Sequence, residues 1–340
     1  MRTLTRILGL TLTLVAGSAA GTAGAKDYYR MATLPPGSSP YMVMSTFANI
    51  VNQQLDDTEI QVNATGVATA HAIQAAQGQL DFFMMAPIVH NFMQQGTAMY
   101  AGIPGAPEMA ETLRSIFIFP LGLYHIVTRD GSGIETLADL KGHTVFLGPP
   151  GGSARTSMLQ LVEGTTGMKP GEDFTSVDVG WDAAAQSFQD GRIDVYANPT
   201  LPPSPVVQQF ALGQKIRLIG LTDEELASDT VAGLIGRMGG MQGVIPAGTY
   251  GENQVNAEDV RTIGSFVGLG TRADMDDETI YKITKAFWEG AEAQRDNTPW
   301  LRNVTLDAAF TQLNMPLHPG AIRYYEEVGL TIPDDLKPAQ

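Results

Sequence analysis

A chain of 340 residues with 44% apolar and 17% charged side chains has the composition of a soluble globular protein of one large or two medium domains. Its net charge of −15 argues against nucleic acid or an anionic membrane surface as partner, though one local positive site is enough to hold a small anion. The absence of cysteine excludes disulfides, thiol catalysis and cysteine-held metals.

Residues 1–25 differ from the rest. Arg2 and Arg6 precede the apolar stretch ILGLTLTLVAG, and small residues lead to Ala23-Gly24-Ala25. This is the pattern of a secretory signal cleaved after Ala25, and the stretch is too short to span a membrane comfortably. Cleavage removes two arginines and no acid, taking the charge from −15 to −17. No later segment has the length and apolarity of a membrane span.

Along the remaining chain, strand and helix patterns alternate. YYRMATL (28–34) reads as a strand, followed by the turn PPGSSP and the helix SPYMVMSTFANIVNQQL. TEIQVNATG (58–66) is a second strand, and TAHAIQAAQGQ a helix stopped by Gly78. LDFFMMAP is a short apolar strand of the buried parallel kind, with the helix NFMQQGTAMYAG after it. RSIFIFPLGLYHIVTR (114–129) gives two strand-like segments, and SGIETLADLKG a short helix capped by Ser132. A second series runs HTVFLG, the turn GPPGGSART with its helix, SVDVG, the helix AAAQSFQDG, IDVYANP, TLPPSP, the helix VVQQFALG and KIRLIGL. The strand SFVGLGTR and the long helix DETIYKITKAFWEGAEAQR close the pattern.

Two βα series with a returning C-terminal part predict an α/β protein of two lobes, each a mainly parallel sheet flanked by helices and joined by crossover strands. The expected boundaries are 26–128 plus 240–340 for lobe I and 129–239 for lobe II, with crossovers near 126–132 and 235–245.

Rival chemistries fall away one by one. GPPGGSART lacks the lysine and spacing of a phosphate loop, and no G-x-S-x-G elbow occurs. Gly268-Leu269-Gly270-Thr271-Arg272-Ala273 imitates a dinucleotide fingerprint, yet no βαβ unit or ribose-binding acid follows it. The five histidines show no metal-ligand spacing. Acidic runs such as Asp276-Asp277-Glu278 stand at helix starts, where carboxylates complement the dipole. No nucleophile–base pair remains, so no enzyme is expected and no motif calls for a cofactor or metal.

What remains is a set of small-residue loops between strand ends and helix starts: PPGSSPY, NATGVATAH, GPPGGSART and NPTLPPSP. Free N–H groups and the positive end of the dipole make such places ready anion sites. The glycine-rich turn is a tight connection, a cradle for negative charge, or both.

Three stretches carry a family resemblance. IPAGTYGENQVNAEDVRTIGSFVGLGTRADMDDETIYKITKAFWE (245–289) resembles the IPAGTY…VRADLDD…YxLTKALFE segment of the TAXI family, the solute-binding proteins of TRAP transporters. GIETLADLKGHTVFLGPPGGS resembles that family's SLADLKGKRVxVGPPGSG, and AIQAAQGQLDFFMM its LxxLASGEADLGF. The resemblance implies a periplasmic, monomeric protein with the two-lobed type II binding fold. It implies closure over a small organic anion, a glutamate-like amino acid or dicarboxylate, and delivery of that ligand to the TRAP permease subunits in the membrane. An exported protein of the same fold presenting its ligand to a sensor kinase is the contrasting reading.

Mapped on the family loops, Ser38, Ser39 and Tyr41 stand in the first, Thr65, Gly66, Val67 and His71 in the second, and Gly152, Ser153, Arg155 and Thr156 in the third. Two family hydroxyls are lost, while His71 and Arg155 are gained. Arg155 either grips a carboxylate bidentately or is a surface arginine on a first helical turn. His71 is either a ligand contact or a solvated helix end. Tyr124, Asn198 and Pro199 lie at further strand ends and complete the candidate ligand-binding set.

Overall fold

The computed structural model describes residues 26–338; the expected signal segment lies outside the described residues. The chain forms ten strands: β1 (Asp27–Thr33), β2 (Thr58–Ala64), β3 (Phe82–Met85), β4 (Leu113–Arg129), β5 (Thr144–Phe146), β6 (Thr175–Ser176), β7 (Val195–Thr200), β8 (Ile216–Leu218), β9 (Gly240–Ile245) and β10 (Val260–Arg272). They make one mixed sheet in the order β2-β1-β3-β10-β4-β7-β5-β6, with β8 on β4 and β9 on β10. The β1–β2, β1–β3, β5–β6 and β5–β7 pairs are parallel. Everything touching the two long strands β4 and β10 is antiparallel. The fold is therefore α/β, parallel towards both ends of the sheet and antiparallel in its middle.

The apolar side chains sort into separate cores. One gathers buried residues from Met31 to Leu121 and from Val267 to Leu336. Two neighbouring clusters gather residues between Leu123 and Ile263. The first core is built around the helix Ser39–Gln54, whose buried Val43, Met44, Phe47, Ile50 and Val51 recur at helical spacing. Ser38 caps that helix by accepting the Tyr41 N–H at 3.3 Å, and Pro40 sits in its first turn. Phe47 meets Phe287 of the long helix Asp277–Gln294, and Phe287 stacks on Phe117 of β4 at 4.8 Å and 9°.

The cores divide where β4 and β10 lose their regularity. Gly122 has φ +119°, and a Cβ there would stand 2.1 Å from the Thr200 carbonyl. The β4–β10 register shifts between Ser265 and Phe266, directly opposite. Beyond the break, His125 is fully buried: its Nδ1 donates to the Leu123 carbonyl at 2.9 Å, and its Nε2 accepts the Tyr250 hydroxyl at 2.7 Å. Tyr250 in turn accepts the Ser204 N–H at 2.9 Å, tying β4 to the start of the helix Pro205–Gly213. Burial pushes the His125 pKa down to about 4. His90, buried in the first core with neither ring nitrogen bonded, is likewise held at about 4 by burial and then by the nearby Arg114.

Several local expectations shift. Leu113–Arg129 is one continuous strand, because β10 pairs with it from Leu113 to Leu123 and β7 and β8 carry the pairing on to Arg129. The helix placed at NFMQQGTAMYAG is Pro87–Gln95, started by Pro87 and ended by Gly96 at φ +61°. SGIETLADLKG forms only the 3₁₀ turn Leu137–Leu140, boxed by Thr136 and Asp139. Ser132 instead bonds Thr128 and accepts the Ile134 N–H. The glycines of Gly268-Leu269-Gly270 lie within β10, where a Cβ at Gly270 would strike the Phe83 ring at 2.5 Å.

Two outcomes follow from this packing. Gly122→Ala is expected to lower unfolding free energy by roughly 3 kcal/mol or more, combining strain at positive φ with a backbone clash; an unchanged urea midpoint would contradict it. The two buried histidines keep folded pKa values near 4 against 6.5 unfolded, so their contribution is full above pH 6.5 and is lost as pH falls towards 4. Stability by urea titration is expected to drop between about pH 7 and pH 5 by roughly 2 kcal/mol per histidine, and His90→Leu is expected to flatten its share.

Candidate functional site

The loops leaving the parallel strands open into one cleft between the cores, of about 660 Å³ counted with its mouth. After β1 come Leu34–Ser38; after β2, Val67 and Ala68; after β5, Pro149 and Gly152–Ala154. The far wall carries Trp181, Asp182 and Ala185 from the helix Trp181–Gln189, Tyr196, Asn198 and Pro199 from β7, and Val206. Met84 and Leu121 form the floor. This is the carboxyl edge of the strands, where open α/β sheets place ligands. Asp182 is the one charged side chain among the lining residues; none of them is basic.

Of the helices that begin in this wall, Ser39–Gln54 is capped by Ser38, and three others lack a capping side chain. Ala68–Ala76 starts after Val67, Ser153–Thr166 after Gly152, and Trp181–Gln189 after Gly180. Their first turn-closing bonds are accepted by the Val67, Gly152 and Gly180 carbonyls from Ala70, Thr156 and Ala184 respectively. The N–H groups of Ala68, Thr69, Ser153, Ala154, Trp181 and Asp182 thus stand without intrahelical partners. Away from the cleft, Thr222, Ser228, Asp276 and His318 each accept a backbone N–H of their own first turn, while the helices after Ala86 and Gly105 are uncapped. The Trp181 Nε1–H is also buried without an acceptor.

The structure separates the residues singled out from sequence. Ser38, Val67, Gly152, Ser153, Asn198 and Pro199 stand in the cleft wall. The Ser38 hydroxyl, however, is engaged, donating to the Pro35 carbonyl at 2.8 Å while capping its helix. Ser39 is buried behind the wall, accepting the Leu201 N–H at 2.7 Å and meeting the Thr200 hydroxyl at 3.2 Å. Tyr41 is half-buried outside the lining, and Tyr124 lies within the second core. Thr65 and Gly66 are exposed, and Thr156 turns its hydroxyl back to the Gly152 carbonyl.

The two gained residues serve the loops themselves. His71 is buried and donates from Nε2 to the Thr65 carbonyl at 2.7 Å, closing the loop after β2; burial lowers its pKa. Arg155 pairs with Asp178 at 2.7 Å and leans on the Val177 and Gly148 carbonyls, clasping the back of the glycine-rich turn. Neither is among the lining residues. Sequence reading passed over Trp181, Asp182 and Tyr196. The signal was present in VDVGWDAA, an apolar strand end, a glycine and then a helix start, but the helix was begun at the alanines.

Hydrogen bonds also cross the cleft at its flanks. Thr69 donates from Oγ1 to the Gly151 carbonyl at 3.0 Å, joining the helix after β2 to the glycine-rich turn. Ser39 reaches the end of β7 in the same way.

Comparison with known proteins places this geometry. The model of the NMT1-like family matches residues 31–329. Among solved structures, a protein of Bordetella bronchiseptica RB50 is similar at 16% identity, covering 91% of this chain and 86% of that one with a TM-score of 0.50. The periplasmic aliphatic sulphonate binding protein SsuA from Escherichia coli aligns at 16% identity over 89% of this chain and 79% of its own, TM-score 0.46. The periplasmic ectoine-binding protein of the TeaABC TRAP transporter of Halomonas elongata aligns at 13% identity over 88% and 90%, TM-score 0.46. Matched by its model over nearly the whole described length, the chain belongs to the NMT1-like family, whose members bind small solutes rather than transform them.

Proposed function

We propose that this protein is a periplasmic receptor for a small organic anion, exported by the leader read at residues 1–25 and acting as a monomer that hands its ligand to a membrane permease of the TRAP type. The observation that carries the ligand class is the meeting of three uncapped helix starts on one cleft. A carboxylate or sulfonate seated there would accept N–H groups that otherwise have only water, and would lie at three positive dipole ends. The unpartnered Trp181 Nε1–H adds a donor. With no basic side chain in the lining, a second acidic group of a glutamate-like ligand or dicarboxylate would find no cationic partner, so the support here is for the anionic head alone.

The division of the apolar cores near residues 121–123 and 263–267 supports two lobes moving about β4 and β10, though Ile245, Tyr250, Val260 and Ile263 pack with the second lobe, which supports a return near 263–267 and not at the expected 240. Ligand closure then draws the walls together, with the Thr69–Gly151 and Ser39–Leu201 bonds as direct links across the gap.

The reading is tested by replacing a donor without disturbing its helix. Ser153 is the first residue of its helix, where proline is tolerated, and Gly152 before it is already extended (φ −85°, ψ 144°), as a residue preceding proline must be. In calorimetry against carboxylates and sulfonates found by thermal shift, Ser153→Pro is expected to weaken binding about tenfold or more, the worth of one charge-assisted hydrogen bond, with its melting temperature kept. Full affinity in that variant would remove this helix start from the site. Thr69→Val is expected to raise the dissociation rate about threefold to tenfold, one neutral hydrogen bond being lost from the closed form; an unaltered rate would exclude Thr69 from closure.

A further inference from the structure

The far wall of the cleft has a chemistry that an anionic head does not use. Asp182 brings the only charged side chain of the lining, and among the described residues it forms no ion pair within 4.0 Å. Beside it stand two aromatic side chains, Trp181 and Tyr196. Both are fixed from behind by Phe146, which meets Trp181 edge-on at 5.4 Å and 82° and stacks on Tyr196 at 5.4 Å and 20°. After the larger effect of burial, the negative charge of Asp182 also helps to hold the Tyr196 hydroxyl protonated, which marks the two groups as neighbours in the wall. A carboxylate flanked by aromatic rings attracts cationic nitrogen, more so when apolar substituents on that nitrogen can meet apolar walls.

We propose that Trp181, Asp182 and Tyr196 form a subsite for an ammonium group, so that the ligand is a zwitterion with an alkylated ammonium at one end and an oxyanion at the other. This rests on the anion reading above and adds the opposite end of the molecule. The electrostatics favour it twice. An anion alone in this cleft lies in the field of Asp182, whereas a zwitterion places its own cation there. A molecule without net charge also approaches a protein of net charge −15 without long-range repulsion. Asp182 sits in the first turn of its own helix, where it complements the dipole. That role alone would make its removal weaken the helix while leaving ligand discrimination untouched.

Matched ligands decide the matter. Glycine betaine and the tert-butylacetate anion differ only by quaternary nitrogen for quaternary carbon; γ-butyrobetaine and its carbon isostere form a longer pair, and choline carries the cation without the carboxylate. In calorimetry on the purified protein, at least one zwitterion is expected to bind about tenfold or more tighter than its isostere, as an ion pair with aromatic support requires. Asp182→Asn is expected to reduce that ratio to about twofold while the isostere's own affinity is retained. An isostere that binds as tightly as its zwitterion overturns the ammonium subsite and leaves the anion reading standing. A ratio that survives Asp182→Asn overturns the part given to Asp182. Binding of choline with failure of every carboxylate overturns the anion reading instead, and failure of all five overturns both.

Discussion

The architecture depends on one pair of strands. β4 and β10 run antiparallel through the middle of the sheet and belong to both cores, so every other strand is hung from this pair, directly or through one or two intervening strands. At the point where the cores change over, side chains give way to backbone. A Cβ on Gly264 would stand 2.5 Å from the Gly122 carbonyl oxygen, and one on Gly122 would enter the Thr200 carbonyl. Contact there is close, with the Leu123 and Met241 side chains beside Gly264, and the β4–β10 register shifts next to it. A bend at this place costs less than one through either core, where Phe117, Phe287 and Phe47 interlock.

From that spine the site follows by direction. The parallel strands on both sides end towards the same gap, and each is succeeded by a helix whose first turn must begin in it. Helix starts expose N–H groups by construction. A Ser, Thr or Asp side chain can satisfy them, as Thr222, Ser228 and Asp276 do elsewhere and Ser38 does in the cleft wall itself. Val67, Gly152 and Gly180 offer no side-chain acceptor at the cleft. The omission forgoes about 1 kcal/mol of helix stability at Val67 and only a few tenths at the two glycines. Local rules are broken at the one place where a ligand can complete them, which is where departures from self-consistency are expected to gather.

Much of this was legible in the chain. The βα alternation gave the fold class, the glycine-rich turn after HTVFLG was located correctly as a strand-to-helix junction, and Gly152 and Ser153 stand at its helix start. What escaped reading has physical causes. β6 is two residues long, too short for any periodicity, so the helix behind it was begun late and Trp181 and Asp182 were passed over. Arg155 was weighed by the cost of a cation near a positive dipole, but a long side chain can leave that place, and it does so to reach Asp178. For His71 neither expectation, ligand contact or solvated helix end, holds, because sequence does not reveal that the Thr65 carbonyl returns over it. Side-chain reach and loop return are tertiary facts, invisible to spacing.

The lack of a basic residue in the cleft bears on how such a receptor works. A buried arginine on a carboxylate makes two charge-assisted bonds at once, and losing both together slows release. Neutral N–H donors from separate helices give bonds of smaller individual worth, distributed over both walls. Opening the cleft separates the Val67 helix from the Gly152 and Gly180 helices, so the ligand would lose its partners in stages rather than all together. A carrier must hold its solute against dilution and still surrender it on contact with another protein. If the walls move as proposed, donors divided between them would meet both demands, because affinity would then belong to the closed arrangement and fall as soon as the walls parted.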